Sequence, residues 1–571
     1  MKTLRTGYFF LFAAILLVLA SLPFFHSTFF VIHDYTHVAR IAEMARNLQA
    51  GEFPVQWSQN FGSGYGMPLF LFYGPLPFYV GSLFFLLGVP GVESMKLVFL
   101  LSNVLAFAGM YHLMKRWRRT SGLLAATAFL WAPYRALDIY VRGALSEVVA
   151  LSLLPWILHW SFATAEKRRF AWFGLAVSVA AVILSHNLTA LIALPLLFAV
   201  SVVFIILQQR AFWHNFIRLT ASYATGVALS AFYVLPLFAE KSFTIVDEIT
   251  GGYFDFRLHF LFFRQFFTAT WGYTGSTYGP EDGISFHLGR AVLVMAILAT
   301  FFAVGKVLQR IRAQEFSLGS FLKQQKKSLL ILTTTFALLV SLFLTLGRST
   351  FVWESVPFLA YIQFPWRYLT VATVFLSMLT GFWLSTLRSF FWRWTTLLLG
   401  VFLIVGTQFS YHQPAGYLDT NNELYASEPE HIRTASSRVL FDYLPKTFDR
   451  ELPPVAPEER ITIQGVDTQN LNWEVNTPTQ VLVSTTATAG ANIRWNIADF
   501  PGWQYEVNGQ PVTPQINESG LAGYQANEPI TSVGAIFTAT PIRQIGNIIS
   551  ISTLLLSTGI LTWQHRKGKH V

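Results

Sequence analysis

The sequence predicts a polytopic α-helical membrane protein of about twelve transmembrane helices with a C-terminal extracytoplasmic β-sandwich. Three observations carry that prediction. The 571 residues are 53% hydrophobic and 12% charged, with a mean hydropathy of +0.46, a balance suited to lipid rather than water. Apolar runs of spanning length recur through the first 410 residues, with Lys and Arg gathered in short clusters between them. Past residue 410 the pattern changes to β-branched and alternating stretches such as "TQVLVSTTAT" and "WQYEVNGQPVTPQI".

The runs fall at 8–31, 95–114, 121–134, 147–165, 170–186, 188–207, 216–238, 289–305, 328–346, 367–387, 392–410 and 545–563. The basic start and apolar stretch of the first run fit a retained helix, because no small-residue cleavage site follows. A thirteenth apolar segment, 67–88, is interrupted by Pro68, Pro75 and Pro77 and reads as re-entrant or interfacial. If it does not cross, the basic clusters at 1–5, 115–119, 167–169, 210–218, 306–327, 388–393 and 566–569 all face one side. The positive-inside rule makes that side cytoplasmic, with both termini there and the chain multi-pass in the cell membrane.

This topology divides the chain into a membrane domain, 1–410, a soluble domain, 411–544, and a final helix with a basic tail, 545–571. The outer face carries loops 32–94, 134–147, 239–288 and 347–366 together with the soluble domain. Pro501-Gly502 and Asn508-Gly509 mark turns between antiparallel strands there. The chain has no cysteine, which excludes disulfides, thiolate metal sites and Cys nucleophiles. Its formal charge of +10 sits in loops between apolar runs, so nucleic acid is not an expected partner and membrane lipid is.

Function is expected on the outer face. The first outer loop presents His33, Asp34, His37, Arg40 and Glu43 directly after a span, on an expected helix where 33, 37 and 40 share a face. A carboxylate beside cations at the membrane boundary suits a general base or a metal ligand; the alternative is a solvated amphipathic helix. Arg135 and Arg142 suit bidentate phosphate recognition, or pairing with Asp138 and Glu147. His186, at the outer end of a span, and Arg367, in "QFPWRYL", are further candidates for the same cavity.

The stretches "HDYTHVARIAEMARNLQAGEFPVQW", "GYGMPLFLFYGPLPFYVG", "YRALDIYVRGALSE", "SHNLTAL", "QFPWR", "DYLPK" and "FPGWQYEVNGQ" resemble bacterial membrane proteins labelled 6-pyruvoyl-tetrahydropterin synthase-related. The label does not describe the chemistry, since a soluble pterin synthase uses a three-His zinc site and a Cys base. More distantly the layout is similar to GT-C glycosyltransferases, which take sugars from polyprenyl phosphates. That resemblance implies a GT-C-like membrane domain, a polyprenyl-phosphate sugar donor and an envelope glycan or protein acceptor. It also implies that Asp34 acts as base or metal ligand, with a divalent cation as the candidate cofactor. The sequence departs from many such enzymes in having Tyr35 and Thr36, rather than a second acid, after Asp34. The expected set is therefore Asp34 as catalytic acid–base residue, with His33, His37, Arg135, Arg142, His186 and Arg367 binding substrate. The competing expectations are a non-catalytic scaffold or glycan-binding protein of the envelope and a transporter or flippase.

Overall fold

Each of the twelve apolar runs is helical in the computed structural model, which describes residues 2–209, 211–268, 270–312, 318–418, 425–437, 443–449 and 455–567. Among the described residues, eight helices are long and apolar enough to cross a membrane: Gly91–Met114, Leu145–Ala165, Asn187–Gln208, Arg290–Arg312, Leu318–Phe343, Pro365–Thr386, Phe390–His412 and Pro541–Lys567. A ninth crossing follows if Phe212–Leu229 and Ala231–Phe243, bent by 70° at their junction, count as one span. The first run forms the 19-residue helix Lys2–Ala20, and two runs yield shorter pieces, Arg119–Leu130 and Ala171–Ser185. The 12 residues of Arg119–Leu130 rise only about 18 Å, short of a hydrocarbon core of about 30 Å. By length and composition alone, eight or nine crossings stand out among the described residues, against the roughly twelve expected from hydropathy.

The segment 67–88 forms two helices, Leu69–Phe72 and Leu76–Leu86, broken at Tyr73-Gly74-Pro75. Its longer piece has 11 residues and reaches about 17 Å, too little to cross. Gly74 sits so close to the end of the Ala171–Ser185 helix that a Cβ would lie 2.2 Å from the Ser185 carbonyl oxygen. The break therefore packs on protein, as irregular backbone at membrane depth must.

Burial grades the helices. Pro365–Thr386 and Leu145–Ala165 are 89% and 83% buried, whereas Pro541–Lys567 is 17% buried and Phe390–His412 22%. The first two form the centre of the bundle, and both begin at the same end of the molecule, where the polar site lies. Helices apolar on every side are stable only when enclosed by others or by lipid, which accounts for both extremes.

The β region consists of two antiparallel sheets. Its strands are β1 (Ile461–Ile463), β2 (Asn472–Thr477), β3 (Gln480–Ala487), β4 (Asn492–Ala498), β5 (Trp503–Val507), β6 (Gln510–Val512), β7 (Gln515–Ile516), β8 (Leu521–Gln525) and β9 (Ile530–Phe537). One sheet runs β1-β4-β8-β7 and the other β2-β3-β9-β5-β6. The Asn508-Gly509 turn joins β5 to β6 with both residues at positive φ, 53° and 71°, as a two-residue hairpin requires.

The core between the sheets is completed from outside the sandwich. Trp57, Tyr65, Leu71 and Phe72 of the first loop are buried with Trp495, Trp503 and Tyr505. The Trp57 ring lies 5.3 Å from Trp503 and 5.2 Å from Phe537, and the Ala498 amide donates to the Tyr65 carbonyl at 2.9 Å. Arg543, at the start of the last helix, pairs with buried Glu240 at 2.8 Å and donates to the Pro501 carbonyl at 2.7 Å. The sandwich is thus fastened to the helices through the first loop, the bent helix pair and the last helix.

Trp57→Ala should therefore cost about 3–5 kcal/mol, the range for deleting a fully buried large aromatic. Thermal unfolding of the detergent-solubilised protein measures this against Trp563→Ala, whose ring is exposed. Equal midpoints for the two variants would contradict the shared core.

Candidate functional site

Backbone pairing places the first loop's acid. The amides of His33 and Asp34 donate to the carbonyls of Val141 and Arg142 at 3.1 and 2.9 Å, so these residues form an extended segment. The helix starts only at His37 and runs to Gln49. The expectation that 33, 37 and 40 share a helical face is corrected here: His33 lies four residues before the first helical residue, its amide tied to the Val141 carbonyl. Gly143, at φ 67°, makes the contact possible, because a Cβ there would lie 2.3 Å from Ile32.

A cavity of about 590 Å³ opens between the first loop, the 142–147 turn, the end of the bent helix and the 363–367 segment. Its polar lining includes His33, Asp34, Arg40, Arg142, His186 and Arg367. His37 and Arg135, both expected to bind substrate, do not line it. Arg135 points into the helix bundle, where it donates to Ser152 Oγ at 3.0 Å and Asn103 Oδ1 at 2.8 Å and lies over Phe129. Seven residues separate Arg135 from Arg142, and the local winding sets their different surroundings: Pro133 starts a turn that continues as a π-turn through Arg142.

Glu147 organises the wall. Its carboxylate accepts from Tyr134 Oη at 2.8 Å, Thr370 Oγ1 at 3.1 Å and Arg142 Nη1 at 2.8 Å, and Arg367 Nε stands 3.9 Å away. Asp138 also accepts from Arg142. Burial, reinforced by the charge of Glu147, holds the Asp138 carboxyl well above the usual carboxylate range. Glu147 and Asp138 outweigh the burial of Arg142 and hold its guanidinium firmly protonated. The Arg142 guanidinium lies 4.7 Å over the Trp366 ring, whose Nε1 donates to Ser276 Oγ at 3.2 Å. Arg367 donates through Nη1 to the Ile362 carbonyl at 2.7 Å, and its Nη2 makes no hydrogen bond among the described residues.

The remaining groups differ in how far they are committed. Asp34 is exposed to the cavity, and its carboxylate makes no hydrogen bond or ion pair among the described residues. His33 Nε2 lies 3.0 Å from the Tyr273 carbonyl. His186 caps the Asn187–Gln208 helix, its Nδ1 accepting the Thr189 amide at 3.3 Å, which leaves Nε2 as the protonated nitrogen. His37 is buried and donates through Nε2 to the Gly143 carbonyl at 2.8 Å; burial and the charge of Arg40 hold its ring well below the ordinary histidine range, hence neutral.

Arg40 is the cavity residue missing from the expected binding set. Only 5% exposed, it lies over Tyr73 at 4.0 Å and donates through Nη1 to His37 Nδ1 at 3.4 Å. Its Nε has no hydrogen-bond partner, and no carboxylate pairs with it among the described residues. Its place on one helical face with His37 was the available signal; the tertiary contact with Tyr73 was not legible.

Glu43 has a structural role. Its buried carboxylate accepts from Arg46, Ser58 Oγ, the Asn60 amide and Asn60 Nδ2, all at 2.7 to 3.0 Å. It thereby ties the helix to the chain that enters the sandwich core.

The residues present form no all-protein cage for a divalent cation, which takes several free carboxylates: Asp34 stands alone beside Arg142 and Arg367, and Glu147 is paired with Arg142. Among the described residues no three His, Asp or Glu side chains converge on a point. The expected metal role for Asp34 therefore has no ligand set to support it.

A family model described as "6-pyruvoyl-tetrahydropterin synthase related domain; membrane protein" matches residues 70–413. An uncharacterized protein of Lactococcus lactis subsp. cremoris is 28% identical over 244 residues, which are 40% of this chain and 39% of that protein. Similar solved structures include the arabinofuranosyltransferase AftD from Mycobacteria, with 19% identity and a TM-score of 0.43 over 72% of this chain and 27% of that one. ArnT from Cupriavidus metallidurans gives 16% identity and a TM-score of 0.38 over 70% of this chain and 64% of that one. Overlays this loose establish no residue correspondences.

Glu43→Gln should destabilise the chain by about 3–5 kcal/mol, the cost of breaking a buried ion pair from one side. Unfolding midpoints of purified protein test this, and a wild-type midpoint would show that the loop is anchored elsewhere.

Proposed function

The chain belongs to the 6-pyruvoyl-tetrahydropterin synthase related family of membrane proteins, and we propose that it is a glycosyltransferase using a polyprenyl-phosphate sugar. The observation that carries this reading is one uncommitted carboxylate, Asp34, in a cavity also lined by Arg40, Arg142, Lys241 and Arg367 and by Glu147, whose carboxylate is paired with Arg142. Glycosyl transfer asks for that pairing: a base for the acceptor hydroxyl and cations for the departing phosphate.

In this mechanism the sugar's anomeric carbon faces Asp34. The carboxylate takes the proton of the acceptor hydroxyl as its oxygen attacks that carbon. The bond from the carbon to the phosphate oxygen breaks, and the electron pair leaves on the polyprenyl phosphate. Arg367, through its unbonded Nη2, and Arg142, held over Trp366, face the charge that develops there. Their positions are fixed by Glu147 before substrate arrives, so little reorganisation is needed at the moment of transfer. His186 and His33 add polar contacts from the same cavity. The apolar lining, including Leu188, Leu191, Leu237 and Phe238, suits the lipid portion of the donor. The acceptor is an envelope glycan or protein reached from the side of the sandwich, which this reading places outside the cell membrane with both termini in the cytoplasm.

Asp34→Asn removes the base while keeping its size, so transfer from a polyprenyl-phosphate sugar pool in purified membranes should fall at least about a hundredfold. Lipid binding and expression should be retained. Wild-type turnover in Asp34→Asn would eliminate Asp34 as the base, and absence of turnover in the parent protein would favour a scaffold. Orientation is checked separately on this Cys-free chain: a Cys replacing Gly509 should react with an impermeant maleimide from outside intact cells, and one replacing Lys323 should not.

A further inference from the structure

Arg40 has no task in the transfer just described, yet it is the most completely buried cation on the cavity wall. A buried guanidinium is ordinarily matched by a carboxylate, because stacking and one neutral acceptor do not replace its lost hydration. Around Arg40 the described residues supply only rings and a neutral imidazole: Tyr73 at 4.0 Å, Phe78 at 5.7 Å and His37 Nδ1 at 3.4 Å. The buried acids near it are occupied, and Asp34, exposed on the same cavity, forms no ion pair with it among the described residues. Glu43, one turn along the same helix, is saturated by Arg46, Ser58 and Asn60, and Glu147 serves Arg142, Tyr134 and Thr370. The rings hold the guanidinium flat and fix its orientation, His37 anchored on the Gly143 carbonyl holds one edge, and the orphaned Nε completes an unfilled donor set.

Arg142 lies over Trp366 and Arg367 over Phe364, whereas Arg40 lies over Tyr73 and Phe78. We propose that Arg40, on its Tyr73 platform, is a second oxyanion-recognition point, distinct from Arg142 and Arg367, which binds a carboxylate or phosphate group carried by the acceptor. The cavity would thus take two anionic groups at once, and its acceptor would be a sugar or polyol chain bearing negative charge near the reacting hydroxyl. This rests on the assignment of Arg142 and Arg367 to the donor phosphate.

The test uses the purified full-length protein in detergent with two probes, farnesyl phosphate for the lipid phosphate and glycerol 1-phosphate for the acceptor anion, and with glycerol as the neutral control. Glycerol 1-phosphate should bind at saturating farnesyl phosphate and glycerol should not. Arg40→Gln should weaken glycerol 1-phosphate binding at least tenfold while changing farnesyl phosphate binding less than twofold; Arg367→Gln should do the reverse. Tyr73→Leu, which removes the platform and leaves the charge, should weaken glycerol 1-phosphate alone, and it serves where Arg40→Gln fails to fold. Mutual exclusion of the two probes, equal weakening of both by Arg40→Gln, or no glycerol 1-phosphate binding to the parent protein would overturn the proposal. Arg40-dependent glycerol 1-phosphate binding without any farnesyl phosphate binding would uphold it and instead defeat the lipid-donor reading.

Discussion

The Glu147 carboxylate joins the 133–145 turn to the Pro365–Thr386 helix, and the site's geometry depends on it. It accepts from Tyr134 and Arg142 of the 133–145 turn and from Thr370 on the central Pro365–Thr386 helix, while Arg367 stands within ionic reach. In a low-dielectric interior each of those bonds is strong only while all are satisfied. Loss of the carboxylate would strand two guanidinium groups together at the head of the bundle. The two most buried helices begin at this point, so the bundle's packing and the cavity's charge pattern have a common origin.

The first loop divides its polar residues between support and chemistry. Glu43 is saturated and fixes the helix to the 58–60 chain; His37 is neutral and locked onto the Gly143 carbonyl. Asp34, held only through its backbone, keeps its carboxylate free. The lone pairs of Glu43 are taken by four donors, whereas those of Asp34 are open to the cavity. The difference between these acids is one of hydrogen-bond satisfaction, not of residue type.

The same loop serves as a joint. Trp57 and Phe72 lie inside the sandwich core while Tyr73 and Gly74, next in sequence, line the cavity. On the far side, Glu240 holds Arg543 while the adjoining Lys241 lines the cavity and donates to Tyr361 Oη at 2.7 Å. The position of the sandwich and the shape of the cavity are therefore mechanically linked through stretches of one or two residues.

Much of the architecture could be read from the sequence because it follows from local rules. Apolar runs became helices, prolines and glycines broke the 67–88 segment, and Asn508-Gly509 turned a hairpin. Asp34, Arg142, His186 and Arg367 were recognisable as polar groups at the ends of apolar runs, where each must find a partner or a ligand. The break in the 121–134 run was not legible, since hydropathy does not register that Arg119–Leu130 stops after 12 residues. Nor was the contrast between Arg135 and Arg142, because identical side chains seven residues apart differ only in which neighbours their turn brings near: Asn103 and Ser152 for one, Glu147 and the cavity for the other. Sequence by itself determined which residues carry charge into an apolar setting. Only the tertiary structure decided which of those charges are neutralised, as Glu147 and Arg142 neutralise each other, and which are left open, as Asp34 and Arg40 are, because burial and pairing are properties of contacts between distant segments.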